Sequence, residues 1–291
     1  MPGPVEAPAT TRTAVLFTHG HPPDTDDAVR VTAEAAERAS VDVVAAPGEL
    51  AKHPSAAPGV GEASELPERP DVCIVLGGDG TILRALRMYA RTGVPVFGIN
   101  FGTIGFLAAA EGDELEQGLE RAFAGEYEVM TLPALEVPVD DGRAVALNDV
   151  SFTRRPHERV AELSYRLGGQ EVGNVRCDGL VAATPAGSTG YNLANQGPIL
   201  AWGVEGYVVS FIAPHSLTAR PLVVAPSDVL NVRNEAPRDS VDIAVDGEPV
   251  AELGSGEEVA VGFRDDVGRL AQLPGSSFYR RIREKFGRIA H

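Results

Sequence analysis

The stretch Asp71-Val-Cys-Ile-Val-Leu-Gly-Gly-Asp-Gly-Thr-Ile-Leu-Arg-Ala-Leu-Arg87 constrains this chain more than any other. Val72 to Leu76 is an apolar run of the length of a buried strand, and Leu83, Leu86 and Arg87 follow at helical spacing. Between them lie Gly77, Gly78, Asp79, Gly80 and Thr81. A strand that feeds a glycine-rich turn and then a helix is a phosphate-binding arrangement. The glycines let backbone N–H groups approach an anion, and the helix N-terminus carries partial positive charge. Asp79 is the odd member of such a cradle, because a carboxylate repels a phosphate. A general base that takes a proton from an attacking hydroxyl would justify it. The plainer alternative is a tight turn in which Asp79 caps the helix.

The elements around this stretch repeat its logic. Thr13 to Phe17 and Val41 to Ala46 read as strands, with a helix from Asp24 to Ser40 between them and a loop, His19-Gly-His-Pro-Pro23, before it. Pro47 to Pro70 is rich in Pro, Gly, Ala and Ser and carries at most a short helix. Val94 to Ile99 is a further buried strand that ends at Asn100-Phe-Gly-Thr-Ile-Gly-Phe-Leu107, and Asp113 to Ala124 is an amphipathic helix. Strands alternating with helices at this spacing imply a parallel, doubly wound, Rossmann-like sheet over residues 13–126, after a disordered leader of residues 1–12. Ligands of such sheets sit at the carboxyl ends of the strands, where Gly77–Thr81 and Asn100–Phe106 both fall.

From Tyr127 to about Leu273 the pattern changes to short β-type runs: Glu128–Thr131, Ala134–Val139, Arg143–Leu147, Val160–Leu167, Val208–Ile212, Leu222–Val224, Val229–Arg233, Val241–Val245 and Val259–Phe263. Turns such as Asp141-Gly142 and Asp246-Gly247 separate them, so residues 127–273 read as a mostly antiparallel β domain. A helix from Phe278 to Arg288, basic on one side, occupies the C-terminal segment 274–291.

Charge and cysteine content exclude several function classes. The net charge of −16 argues against a nucleic-acid partner. No apolar run reaches membrane-spanning length, and the N-terminus lacks the basic and apolar regions of a signal peptide. Cys73 and Cys177 are too few for a disulfide scaffold, and no Cys/His cluster has metal-site spacing; a cytoplasmic location follows. Lysine occurs only at Lys52 and Lys285. Many carboxylates with almost no lysine suit a surface soluble in concentrated salt, where screening removes self-repulsion. A GC-rich genome is the other source of such a composition.

A second dense stretch, Arg176-Cys-Asp-Gly-Leu-Val-Ala-Ala-Thr-Pro-Ala-Gly-Ser-Thr-Gly-Tyr-Asn-Leu-Ala194, packs hydroxyl and small residues among glycines. It suits close backbone approach to a ligand, with Ser188, Thr189 and Asn192 as hydrogen-bond partners and Asp178 on a ribose hydroxyl. The alternative is a strand, a Thr-Pro turn and a capped helix start. Asn148-Asp149 ends the run Ala144–Leu147, and an amide beside a carboxylate can read an adenine edge or a ribose diol; most such pairs are turn residues. His215 reads as a structural histidine and Cys177 as a small packed residue.

Taken together, these stretches resemble the NAD kinase family. Gly77–Thr81 looks like its first signature, Asn148-Asp149 lies where it carries Asn-Glu, and Asp178-Gly179 with Thr184-Pro-Ala-Gly-Ser-Thr-Gly-Tyr191 looks like its second. Gly98–Leu107, Pro214–Leu222 and Val245–Glu248 fall in family order around them. The resemblance runs from about Ala14 to the C-terminus. It implies phosphorylation of the adenosine 2′-hydroxyl of NAD, with ATP or polyphosphate as donor and Mg²⁺ bridging the donor phosphates rather than sitting in a protein cage. It also implies an N-terminal α/β domain, a β-rich C-terminal domain and a homodimer or homotetramer. Asp79 would be the base, and Gly80 would lie against the same ribose. Asn148, Asp149, Arg176, Asp178, Thr189, Gly190, Tyr191, Asn192, Leu193, Ala194 and Glu248 would bind NAD, and Gly77, Gly78, Gly80 and Thr81 the donor phosphates. Gly190 replaces a common Ala, as in archaeal members, and with the acidic composition this implies a haloarchaeal source. Asp149 is a methylene shorter than Glu, Ala194 lacks a common hydroxyl, and Glu248 stands where Gln is usual. Two alternatives remain: a lipid or sugar kinase of the same superfamily, and a catalytically silent NAD(H)-binding regulator.

Overall fold

The computed structural model describes residues 11–19, 25–53, 59–101, 105–140 and 142–287. Most of the expected leader, Asp24 at the expected helix start, His21, Gly102 to Ile104 of the second loop, Asp141 and Arg288 lie outside the described residues. The chain divides into two compact units, residues 1–132 with 267–291, and residues 133–266.

The first unit is built on a parallel sheet. Its strands are β1 (Thr13–Thr18), β2 (Asp42–Ala45), β3 (Gly61–Glu62), β4 (Val72–Leu76), β5 (Val96–Asn100) and β6 (Ala110–Glu111). They run in the order β3-β2-β1-β4-β5, with β6 paired to the end of β5. β4 and β5 are buried at every position, as expected for central parallel strands covered on both faces. Helices α1 (Asp26–Ala39), α2 (Pro47–Leu50), α3 (Asp79–Met88) and α4 (Leu115–Phe123) connect them. α1 turns Val29, Ala33 and Ala36 onto the core beside Leu16, Ile74 and Phe97.

The second unit is a β-sandwich with a short helix, α5 (Tyr191–Ala194). One sheet has the order β14 (Leu222–Val224), β13 (Tyr207–Ile212), β12 (Gly179–Ala183), β9 (Asp149–Arg154), β16 (Val241–Val245), β17 (Glu248–Leu253). The other runs β11 (Gln170–Cys177), β10 (Ala161–Leu167), β15 (Leu230–Asn234) and the first part of β18 (Glu258–Gln272), beside the hairpin of β7 (Glu128–Val139) and β8 (Gly142–Ala146). Among the described residues the strand pairings within the unit are antiparallel. Alternation along β10 sends Ala161, Leu163 and Tyr165 inward, where they meet Phe152, Leu180, Val209 and Ile243 from the other sheet.

Several sequence expectations need correction. The expected divisions near residues 126 and 273 shift to 132/133 and 266/267, because β18 continues to Gln272 and its end pairs with β5 of the first unit through Leu270 and Val96. The expected C-terminal helix, α6 (Phe278–Phe286), also belongs to the first unit. β7 runs through Pro133, where two strands were expected, since a proline's fixed φ suits extended chain. β9, β11 and β17 were not expected as strands; their acids, amides and interior glycine read as turn chemistry, and cross-strand pairing overrides it. Asn148-Asp149 does not close a strand: Asp149 opens β9.

Candidate functional site

In the first unit the turn after β4 delivers the backbone to the start of α3. Gly78 is the N-cap and Asp79 the first helical residue, so the capping alternative fails: the Asp79 side chain makes no cap hydrogen bond. Its carboxylate accepts two backbone N–H groups from the segment after β5 instead. Phe106 donates to Oδ2 at 2.8 Å and Leu107 to Oδ1 at 3.0 Å. This close wrap needs glycine at 105, because a Cβ there would overlap Asp79 Oδ1.

Beside the turn lies a cleft of about 510 Å³ lined by Thr18, His19, Lys52, Gly78, Gly80, Thr81 and Arg84. Gly77 is buried beneath the turn and is not among the lining residues. The cleft has a cationic wall built on a buried acid. Glu49 accepts from Lys52 Nζ at 2.8 Å, Arg84 at 2.7 Å, the Thr18 amide at 3.0 Å and the Thr18 hydroxyl at 2.9 Å. Burial pushes the Glu49 carboxyl up, but Lys52, Thr18 and Arg84 together hold it below the usual range. The Arg84 guanidinium also lies 5.3 Å from the Phe17 ring centroid.

The second unit gathers Asn148 and Asp149 on a turn organised by Asp246. This residue adopts a left-handed φ of 49°, which Asp tolerates better than most side chains. Its carboxylate accepts the amides of Leu147 at 3.0 Å, Asn148 at 2.7 Å and Asp149 at 3.0 Å, and its own amide donates to Asp149 O at 2.9 Å. Asp149 is 7% exposed and, among the described residues, accepts no side-chain hydrogen bond. Burial, and then the neighbouring Asp246 charge, push its carboxyl up to about 7.

Against the same backbone packs the Thr184–Tyr191 stretch. Thr184 donates through Oγ1 to Leu147 O at 2.6 Å and through its amide to Asn148 O at 2.9 Å. Gly187 crosses Asn148 so closely that a Cβ would overlap the Asn148 carbonyl. Two expected ligand groups face the protein instead. Ser188 is fully buried between Pro185 and Leu200, and buried Asn192 donates to Ser188 O at 2.9 Å and Pro198 O at 3.0 Å. Thr189 donates to Ala186 O at 3.2 Å, and Gly190 and Tyr191 are exposed, with Leu193 half-buried. Ala194 lines a separate cleft of about 440 Å³ with Phe211, Pro214 and Arg220. Asp178 is paired to Arg154 Nε at 2.5 Å, while Arg176 and Glu248 are exposed on β11 and at the start of β17. Cys177 is buried as expected, but His215 is exposed rather than a packed structural histidine.

Two family models match the chain: the ATP-NAD kinase N-terminal domain over residues 58–127 and the ATP-NAD kinase C-terminal domain over residues 147–264. A curated NAD kinase of Symbiobacterium thermophilum is 39% identical over 244 residues, covering 80% of this chain and 86% of that protein. The chain belongs to the NAD kinase family. A second NAD kinase, from Gemmatimonas aurantiaca, is 36% identical over 224 residues, covering 75% and 77% of the two chains. Among solved structures, a yeast NADH kinase complexed with NADH shares the fold with a TM-score of 0.83 at 23% identity, covering 97% of this chain and 89% of that one. An NAD kinase from Archaeoglobus fulgidus in complex with ATP gives a TM-score of 0.70 at 26% identity, covering 94% and 99%. The expected class, an α/β domain with a C-terminal antiparallel β domain, is the fold shared with these two structures. No helix among the described residues is long and apolar enough to cross a membrane.

Four groups of this NAD kinase family member escaped the sequence reading: Glu49, Lys52, Arg84 and Asp246. Lys52 alone carried a signal, as one of only two lysines in the chain. Asp246 was read as half of a turn and as part of the Val245–Glu248 stretch, with no role of its own.

Proposed function

We propose that this protein is an NAD kinase that transfers a phosphoryl group from ATP or polyphosphate to the adenosine 2′-hydroxyl of NAD, giving NADP. The observation that carries the reading is Asp79. It stands at the start of α3 beside a cleft with glycine amides and two cations, and each of its oxygens accepts one N–H group and keeps a free lone pair. As the 2′-oxygen forms its bond to phosphorus and the donor's bridging P–O bond breaks, the hydroxyl proton passes to Asp79. The amides of Gly78 and Gly80 and the Thr81 hydroxyl hold the donor phosphates, since the Gly77 and Thr81 amides already donate to Ile99 O and Gly78 O, and Lys52 and Arg84 offset the phosphate charge where a Walker-type lysine is missing.

Asn148, Asp149, Arg176, Asp178, Glu248 and the Thr189–Ala194 segment hold NAD. The side chain of Asn192 acts there by keeping its loop closed. A divalent cation, Mg²⁺, is carried on the donor phosphates, whose charge it would offset. The relative crystallised with ATP favours ATP as a donor. A cytoplasmic homodimer or homotetramer working at high salt completes the reading.

The test is NADP formation by the purified protein from NAD and Mg²⁺, with ATP or polyphosphate, in low and in multimolar KCl. Product with one donor names that donor, and a higher rate at high KCl supports the salt-adapted surface. No product under any condition, with NAD still bound, replaces the kinase by a silent NAD-binding regulator.

A further inference from the structure

The C-terminal segment that the proposed chemistry leaves unused lies directly behind the backbone that holds Asp79. Phe106 and Leu107 donate their amides to the carboxylate, and the carbonyls of the same stretch are held from the other side. Gln272, at the end of β18, donates Nε2 to Leu107 O at 2.9 Å. Arg281, on α6, donates to Ala108 O and, at 2.6 Å, to Gln272 Oε1. Accepting from Arg281 fixes which way the Gln272 amide faces, so its N–H₂ group must point toward Leu107. Both side chains are buried, Gln272 at 5% and Arg281 at 7% exposure.

The ring of Phe106 is held by the same segment. It lies 6.2 Å from Phe278 and 6.0 Å from Phe286, with Lys285 Nζ 4.8 Å from its centroid. Burying a guanidinium is costly, and a buried arginine in a protein that merely needed to anchor a helix is a poor choice beside an apolar one. Its use here is geometric. A guanidinium is flat, carries five donors and can brace a carbonyl and a glutamine at once.

We propose that Arg281 and Gln272 are positioning residues for Asp79. They lock the 106–108 backbone so that its amides set the direction of the carboxylate toward the hydroxyl it deprotonates. This rests on the reading of Asp79 as the base.

The experiment compares Arg281→Met, Arg281→Lys and Gln272→Met with wild type in steady-state NADP formation, well below each variant's melting temperature, and repeats Arg281→Met in an Asp79→Asn background. Arg281→Met is expected to lower kcat by about tenfold or more with both KM values unchanged, since misplacing a reacting group costs rate rather than binding. Gln272→Met, which removes only the Leu107 brace, is expected to lower kcat less, and Arg281→Lys to recover part of the loss. In the Asp79→Asn background Arg281→Met is expected to change nothing further. A kcat within twofold of wild type in both Arg281→Met and Gln272→Met overturns the proposal. So does an equal loss with and without Asp79. Should Asp79→Asn alone turn over at the wild-type rate, the base reading itself has failed, an outcome read independently of the Arg281 variants.

Discussion

Asp79 and Asp149 are two short acids that the units of this protein treat in opposite ways. Asp79 begins a helix, half-buried, with an amide on each oxygen. Asp149 begins a strand, almost fully buried, with no donor among the described residues, while Asp246 beside it takes three amides. The contrast separates orientation from protonation. Amide donors fix where a carboxylate points, whereas burial without donors fixes that it prefers its proton until a partner arrives. A ribose diol is such a partner, because its hydroxyls would donate to the ionised form.

The hold on Asp79 is most sensitive at Gly105. A methyl there has no room beside Asp79 Oδ1, so Gly105→Ala must shift either the carboxylate or the Phe106 and Leu107 amides. The expected result is a kcat loss of about 100-fold with KM for NAD held within a factor of about two. A variant with wild-type turnover would mean that the direction of the Asp79 carboxylate does not matter to the reaction.

Asp149 sharpens the other side through pH. Its carboxyl goes from 3.8 in the unfolded chain to about 7 in the fold. The folded state therefore holds the proton more tightly, so this contribution to stability is fully present below about pH 4 and is lost as pH rises through about 7. Asp149→Asn cannot ionise and should escape that loss. It is expected to match wild type near pH 4 and to be more stable by about 2–4 kcal/mol at pH 8, read by denaturant unfolding across the range. NAD affinity should rise between about pH 6 and 8 in wild type and stay flat in the variant, because binding favours the ionised carboxylate. Parallel pH profiles for the two proteins would remove the raised acid from the account.

These two aspartates also show what the sequence could and could not disclose. β4 was legible to the residue, because five apolar positions ending at Gly77-Gly78 leave one sensible element. The oddity of Asp79 was legible too, as a charge in a glycine-rich turn. Its amide partners were not, since they come from residues 27 and 28 positions later in the chain, a pairing that only the β4–β5 adjacency creates. Asp149 was misread as a strand end for a related reason. Its place in β9 depends on pairing with β12 and β16, which a local run of Asp, Val and Ser does not announce. Ser188 and Asn192 were chosen for chemistry that hydroxyls and amides can perform in either direction, and the fold turned both inward.

The smallest expected effect lies at the cationic wall of the first unit's cleft. Lys52 is partly exposed and already paired with Glu49, and one solvated charge on a phosphate is worth little once screened. Lys52→Met is therefore expected to raise the donor KM by about three- to tenfold at low salt, to leave the NAD KM unchanged and to lose most of its effect in multimolar KCl. Polyphosphate, with more charge per length than ATP, should feel the change more. An equal rise in both KM values would instead mean that Lys52 acts by holding Glu49 and Thr18 in place. In that case Glu49→Gln, which keeps the shape and removes the charge that orients Lys52 and Arg84, should reproduce the same symmetric loss. The donor-selective outcome would assign to a lone lysine the role that the glycine turn cannot fill by itself, because amides supply direction but no net charge.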